Sequence, residues 1–244
     1  MTSAQPPPTP RGKTTTPWCS VIIPTLNEAP YIGATLQRLT AAPRTTSFEI
    51  IVADGGSTDA TVAIAQEHGA RIVRSPRGRA AQLNAGAAAA TGQSFLFLHA
   101  DTLPPRDFAR YFPVGDDAAP ACFRLRFEGQ DGSRLLRFYS YCTRFDIDAF
   151  RFGDQALWVL RRDFEAVGGY PADWQVLEDN YLVRRLRRHC GKFRILPGAV
   201  TTSARKYVRN GFAYTQVVYA LLYTLYRCGA GQRLLLFLYR VFLK

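Results

Sequence analysis

Two aspartates, Asp54 and Asp101, each stand where an apolar run of strand length gives way to a turn. The first run is in EIIVADGGSTDAT, Glu49 to Thr61, and the second in SFLFLHADT, Ser94 to Thr102. In an open parallel sheet, ligands bind in the loops at the carboxyl ends of the strands. The two carboxylates are therefore expected to share one cleft, and such a pair suits a divalent metal and a sugar nucleotide. Asp54 can accept hydrogen bonds from a base N–H or from ribose hydroxyls. Gly55 and Gly56 let the backbone approach a ligand closely. The competing reading makes Asp54 a capping acid ahead of the Ser57 turn.

Asp101 belongs to the turn His99-Ala100-Asp101. A nucleoside diphosphate is highly anionic, and Mg²⁺ or Mn²⁺ neutralises it through oxygen ligands. Asp101 is the expected metal ligand, and Ala100 is counted with the nucleotide-binding residues. His99 reads as a partly buried histidine ending the strand rather than as a ligand. Arg79 and Asn84, in RGRAAQLNAG, put a cation and an amide at the start of a helix, where phosphate or base contact is favoured. Farther along, Glu178 and Asp179 stand just before a basic helix, VLEDNYLVRRLRR. One of them can take the proton from an acceptor hydroxyl, or the pair can simply complement the helix dipole. Asp154 and Gln155 precede a strand and are either acceptor contacts or turn residues.

These side chains need elements to hold them. Trp18 to Pro24 reads as a buried first strand stopped by Pro24, and PTLNE, Pro24 to Glu28, follows it. Tyr31 to Leu39 has helical spacing, Phe48 to Ala53 is a strand, and Ser57 or Thr58 is expected to cap a helix reaching His68. Ala70 to Arg74 is a strand, Ala80 to Ala90 a helix, and Phe95 to Leu98 the fourth strand. This alternation implies a mostly parallel sheet with right-handed crossovers. After Thr102 the rhythm changes. Cys122 to Glu128 alternates like a half-exposed antiparallel strand, Ser133 to Phe145 looks helical, Ala156 to Leu160 extended, and Glu178 to His189 helical. Phe193 to Leu196 and Ala199 to Ser203 read as two short extended pieces. The fold class expected is α/β, with a mostly parallel nucleotide-binding sheet flanked by helices, a small antiparallel part and a C-terminal helical appendage.

The chain has 244 residues, 47% of them hydrophobic, enough for one domain with appendages. Its formal charge of +12 comes mostly from arginine, whose fork matches phosphate geometry. The basic residues are scattered rather than interleaved with aromatics on one face, which disfavours nucleic acid as a partner. Five cysteines without CxxC spacing support neither a zinc site nor a disulfide framework. Residues 1–17 carry no apolar core and read as a disordered tail, not a signal peptide. Residues 18–207 form the expected catalytic domain and 208–244 the appendage. From Phe212 to Lys244 the chain is apolar with a basic break at RCGAGQR, and neither half reaches the roughly 18–20 apolar residues of a membrane span. Two such helices suit an in-plane membrane contact. The alternatives are a helical hairpin packed on the domain and a homodimer contact.

Taken together, PTLNE, DGGSTD, R-x-x-x-x-N-x-G, the aspartate turn, VGGY and the Glu178-Asp179 pair resemble the family-two glycosyltransferases of GT-A fold, over about Cys19 to Pro197. RGRAAQLNAGAAAATG, FLHADT, FGDQALWV and TSARKY are similar to a bacterial subfamily associated with radical-SAM or selenium-related genes and labelled as arsenosugar-biosynthesis glycosyltransferases. The resemblance implies a nucleotide-sugar donor, Mg²⁺ or Mn²⁺, and inversion at the anomeric carbon. By position, Thr25, Glu28 and Asp54 would hold the nucleoside, Asp101 the metal, and Asp179 would be the base with Glu178 its neighbour. The usual D-x-D is His99-Ala100-Asp101 here, and Q-x-x-R-W is replaced by Ser203 to Tyr207, where Arg205 or Lys206 could meet the diphosphate. Single-sugar transfer at the cytoplasmic membrane face is the expectation; the acceptor is left open, with a lipid or lipid-linked molecule as one candidate. A nucleotidyltransferase-like enzyme and a non-catalytic nucleotide-sugar or membrane-binding protein are the alternatives.

Overall fold

The computed structural model describes residues 18–42, 48–113, 115, 118–151 and 153–243. The tail expected over residues 1–17 lies outside them. The first half alternates strand and helix: β1 (Cys19–Thr25), α1 (Ala29–Thr40), β2 (Phe48–Asp54), α2 (Thr61–Glu67), β3 (Arg71–Arg74), α3 (Arg79–Ala89) and β4 (Ser94–Phe97). A short β5 (Thr102–Leu103), β6 (Ala121–Phe127), α4 (Arg134–Cys142), β7 (Leu157–Leu160) and α5 (Arg161–Ala166) follow. The chain closes with α6 (Glu178–Cys190), β8 (Arg194–Thr202), α7 (Arg205–Asn210), α8 (Phe212–Arg227) and α9 (Gln232–Phe242).

All eight strands join one sheet in the order β3-β2-β1-β4-β7-β6-β8-β5. β3, β2, β1 and β4 run parallel, and β7 is antiparallel to both β4 and β6. Adjacent residues of β1 serve opposite cores. Val21 and Ile23 pack under α1 and α2 with Leu36, Leu39 and Ala65, whereas Ile22 packs with Leu83 of α3 and Leu182 and Leu186 of α6. A strand covered on both faces is apolar at nearly every position, which is why Val21 to Ile23 is a continuous run in the sequence. α3 comes so close to β1 that a Cβ at Gly86 would collide with the side chain of Ile22.

Four local expectations change. Pro24 does not stop β1, which reaches Thr25. β4 pairs with β1 only as far as Ile22, so the missing Pro24 N–H leaves no ladder bond to β4 broken. Neither Ser57 nor Thr58 caps α2, which begins at Thr61. Instead, Ser57 Oγ accepts from the Asn27 backbone at 2.9 Å and the Thr58 N–H donates to the Asn27 side chain at 2.8 Å, tying the loop after β2 to the loop after β1. The two short pieces around Pro197 are one strand, β8, because a register shift opposite Phe123 and Arg124 absorbs the irregularity. Finally, β6 runs parallel to β8 and is antiparallel only to β7. Its alternating pattern reported one exposed face, not the direction of its neighbours.

Candidate active site

One cavity of about 360 Å³ opens at the carboxyl ends of β1 and β4. Thr25 and Glu28 enter it from β1 and the following loop, Ala100 and Asp101 from the turn after β4, and Arg79 from the first turn of α3. Asp154 and Asp179 come from the second half of the chain. Asp101 and Asp179 thus face one space.

The cavity is organised by arginine forks. Arg79 Nε pairs with Glu178, its Nη2 lies 2.6 Å from Asp179 Oδ2, and its Nη1 lies 3.4 Å from His99 Nε2. Glu178 is wholly buried behind Arg79, with Oε2 lacking a hydrogen-bond partner. Burial pushes its carboxyl up from the usual glutamate range, against the pull of Arg79. Asp179 remains at the cavity wall, where its Oδ2 also accepts from the Gly153 N–H at 3.1 Å. The second fork is Arg205, which donates to both Glu28 oxygens at 2.9 and 3.1 Å and lies 3.1 Å from Asp101 Oδ2. Burial raises the Asp101 carboxyl above its ordinary value even though His99 and Arg205 oppose it.

The residue at the first position of the aspartate turn, His99, places Nδ1 2.9 Å from Asp154 Oδ1. Burial would lower the imidazole pKa, but the hydrogen bond and charge of Asp154 prevail and raise it. Asp154 itself is held well below the carboxylate range: burial acts against this, and the bond to His99 outweighs it. A carboxylate therefore does stand beside position 99, contributed by a loop 55 residues farther along.

Other expected residues occupy different places. Asp54 is fully buried and does not line the cavity. Its carboxylate accepts from the N–H groups of Gly56 and Ser57 and from Thr25 Oγ1, and pairs with Arg74 at 2.7 Å, an arrangement that holds its pKa low although burial acts against it. It folds the loop that carries the site. Asn84 also lies outside the lining; its amide bridges the N–H and C=O of Tyr170, anchoring the VGGY stretch to α3. Ala100 lines the cavity, with its carbonyl fixed by Thr35 Oγ1 at 2.8 Å. Gln82, which sequence reasoning missed, donates to the carbonyls of Thr25 and Ala53 at 2.6 and 2.9 Å and ties the ends of β1 and β2 to α3.

Among the described residues, three that are not glycine have positive φ: Asn27, Ala156 and Leu177. Each adjoins or lines the cavity, beside Glu28, Gln155 and Glu178 respectively. Such backbone costs on the order of 1–3 kcal/mol and persists where surrounding structure fixes it. Leu177 is the residue that turns the chain into α6 and so aims Asp179.

The C-terminal helices build part of the wall. Val218 and Leu222 of α8 and Leu235 of α9 pack on Val176 and Leu177. Tyr219 and Tyr239 line the cavity, and Lys206 Nζ donates to Tyr219 at 3.0 Å. The opposite faces keep Val217, Leu221, Phe237 and Val241 exposed. Among the described residues no helix is long and apolar enough to cross a membrane. A separate cluster of Asp163, His189 and Cys190 has metal-ligating atoms within 4.8 Å of one another, but none of the three lines this cavity.

A parallel nucleotide-binding half, joined to a mixed sheet, with an aspartate turn and a carboxylate-bearing helix facing one cleft, defines a glycosyltransferase of GT-A fold. The chain belongs to glycosyl transferase family 2, whose family model matches residues 20–163. It is 31% identical over 179 residues to the "PGL/p-HBAD biosynthesis glycosyltransferase" of Mycobacterium bovis and to its Mycobacterium tuberculosis counterparts, covering 67% of this chain and 67% of those proteins. In fold it is similar to the mannosyltransferase PcManGT of Pyrobaculum calidifontis, solved with GDP-Man and Mn²⁺ (TM-score 0.63, 20% identity, 91% of this chain and 69% of that one). It is also similar to the glucosyl-3-phosphoglycerate synthase of Mycobacterium tuberculosis, solved with Mn²⁺, UDP and glucosyl-3-phosphoglycerate (TM-score 0.61, 20% identity, 88% and 81%).

Proposed function

We propose that this glycosyltransferase moves one sugar, with inversion, from a nucleoside diphosphate sugar to an acceptor hydroxyl. The observation that carries the reading is the placement of Asp101 and Asp179 on one cavity that also contains Thr25 and Glu28. Thr25 and Glu28 meet the nucleoside, and Asp54 holds the loop that presents it. Asp179 is the base. Arg79 orients it through the 2.6 Å contact, with Glu178 buried on the same guanidinium. Inversion needs one base on the acceptor side and a stabilised leaving group on the other.

A divalent cation fits the donor set. Asp101 presents a carboxylate to the cavity, where it pairs with Arg205, and release of that arginine frees Glu28 as well. Asp101, as the principal ligand, would hold Mg²⁺ or Mn²⁺, which when bound neutralises the departing diphosphate. Arg205, once turned from the two carboxylates, and Lys206 supply fixed positive charge on the same side. His99 is committed to Asp154 and positions it rather than binding metal.

The exposed rows of α8 and α9 rest on an anionic membrane at the cytoplasmic face, so that a lipid or lipid-linked acceptor reaches a cavity those helices wall.

The test is a donor panel with Mn²⁺ or Mg²⁺, scoring nucleoside diphosphate release and transfer. Asp101→Ala is expected to abolish metal-dependent nucleoside diphosphate binding in calorimetry. Asp179→Asn is expected to keep donor binding and lose transfer about 10²-fold or more. Transfer at the wild-type rate in Asp179→Asn would move the base elsewhere, with Asp154 next in line.

A further inference from the structure

A second concave surface lies outside the catalytic cavity. Arg124 and Arg126 of β6 and Arg134, Arg137 and Arg144 of the α4 region surround a depression of about 760 Å³. No carboxylate is among the described residues that line it. None of the five arginines has an ion pair among the described residues. Arg124 Nε is buried without a hydrogen-bond partner, and Arg144 lies over the Tyr141 ring at 3.8 Å. The alternation of β6 produces this surface: Phe123, Leu125 and Phe127 turn into the core while Arg124 and Arg126 turn away. The β8 register shift sets small Ala199 opposite Arg124, which keeps the floor open.

The same region exposes apolar side chains. Leu136 and Tyr139 of α4 are buried, but Leu135 is 52% and Phe138 67% exposed, with Tyr141, Phe145 and Ile147 also open to solvent. Contiguous exposed apolar groups mark an interaction site. Cations beside them fit one partner chemistry in particular, a lipid surface, where arginines meet phosphates and the apolar row enters the headgroup boundary. Nucleic acid would satisfy the arginines too, and Phe138, Tyr141 and Phe145 offer ring faces, but exposed Leu135 and Ile147 have nothing to gain against a base and are buried on entering the headgroup boundary.

We infer that α4 and the outer face of β6 form a docking surface for a bilayer rich in anionic phospholipid. α4 lies between this surface and the cavity, since its Tyr139 lines the cavity while Phe138 faces the depression. Docking there sets one wall of the cavity against the membrane. The inference depends neither on the sugar-transfer reading nor on the α8–α9 surface.

The experiment is flotation of the full chain with phosphatidylcholine vesicles with and without phosphatidylglycerol, at low and high salt. Each surface cation contributes roughly fivefold to partitioning, so Arg126→Gln/Arg137→Gln is expected to lower binding to anionic vesicles about 30-fold. Leu135→Ser/Phe138→Ser is expected to lower it as well, with less dependence on salt. Nucleoside diphosphate release from a soluble donor is expected to be unchanged in both. Phe138→Trp is expected to gain a blue-shifted emission component on anionic vesicles, relative to wild type. Equal binding to neutral and anionic vesicles, or no vesicle binding, overturns the inference. So does loss confined to a Val217→Glu/Phe237→Glu tail variant, which would leave the α8–α9 reading standing. Arginine-dependent binding of an RNA oligonucleotide without vesicle binding would assign the surface to nucleic acid instead.

Discussion

Arg205 grips Glu28 across 177 residues of sequence, with both terminal nitrogens within 3.1 Å of its carboxylate. The same guanidinium lies 3.1 Å from Asp101 and stacks over Tyr31 at 4.6 Å from the ring centre. Arg205 thus neutralises two carboxylates that would otherwise repel. It occupies the side of the cavity where a cation and a diphosphate are proposed to sit.

Arg205→Ala is expected to move two affinities in opposite directions. Mn²⁺ alone should bind more tightly, because Glu28 and Asp101 lose their internal cation. Nucleoside diphosphate should bind more weakly, because a fixed positive charge beside the phosphates is gone. Calorimetric titrations of each ligand measure this. Parallel changes of the two affinities would remove Arg205 from the donor site.

Gly153→Ala is expected to reduce transfer about 10²-fold, the scale of a general base. A Cβ at residue 153 would lie 2.5 Å from Asp179 Oδ2 and 2.7 Å from His99 Nε2, so the carboxylate must move. Donor binding should change far less. Single-turnover transfer compared with calorimetric donor binding separates the two, and an unaffected transfer step would mean that the position of Asp179 is not critical.

Gln82→Leu leaves the carbonyls of Thr25 and Ala53 without the donor that joins them. Unsatisfied buried acceptors cost about 1–3 kcal/mol. Urea unfolding should show a loss on that scale, with weakened donor binding because the Thr25 loop is no longer tied to α3. An unchanged unfolding midpoint would show that water replaces the amide.

Glu49 gives a pH signature far from the cavity. Partial burial would raise its carboxyl, but the Ser20 hydroxyl and the Thr91 and Gly92 N–H groups outweigh that and lower it. A depressed folded pKa stabilises above the unfolded value of about 4.3 and is lost as pH falls through the folded value. Glu49→Gln is therefore expected to cost about 1 kcal/mol at neutral pH. The difference should shrink as the pH drops below about 4. A gap that stays constant across the acid range would mean that packing, not ionisation, gives Glu49 its role.

The order of elements through β4 was legible because its signals are local. A strand buried on both faces shows a run of apolar residues, as in Val21 to Ile23, and a helix between two such strands shows its buried stripe, as with Ile32, Leu36 and Leu39. The carboxyl ends of those strands also announced Glu28 and Asp101, since chain direction in a parallel sheet fixes which loops gather. Turn chemistry was less legible. Asp54, Ser57 and Asn27 offer the same hydrogen-bonding groups to a ligand and to neighbouring backbone, and only the packed loops show that here the backbone takes them.

By itself, then, the sequence determined the layered sheet, the edge at which the site lies and the carboxylates available to it. Only the tertiary structure decided how those carboxylates are partnered. Arg79 reaches Glu178 and Asp179 from 99 and 100 residues away, Asp154 returns to His99, and Tyr219 and Tyr239 of the C-terminal helices close the cavity. The reason is physical. Periodicity records which face of an element is buried, whereas an ion pair across the chain depends on strand order, crossover and helix docking, none of which leaves a mark in the neighbouring residues.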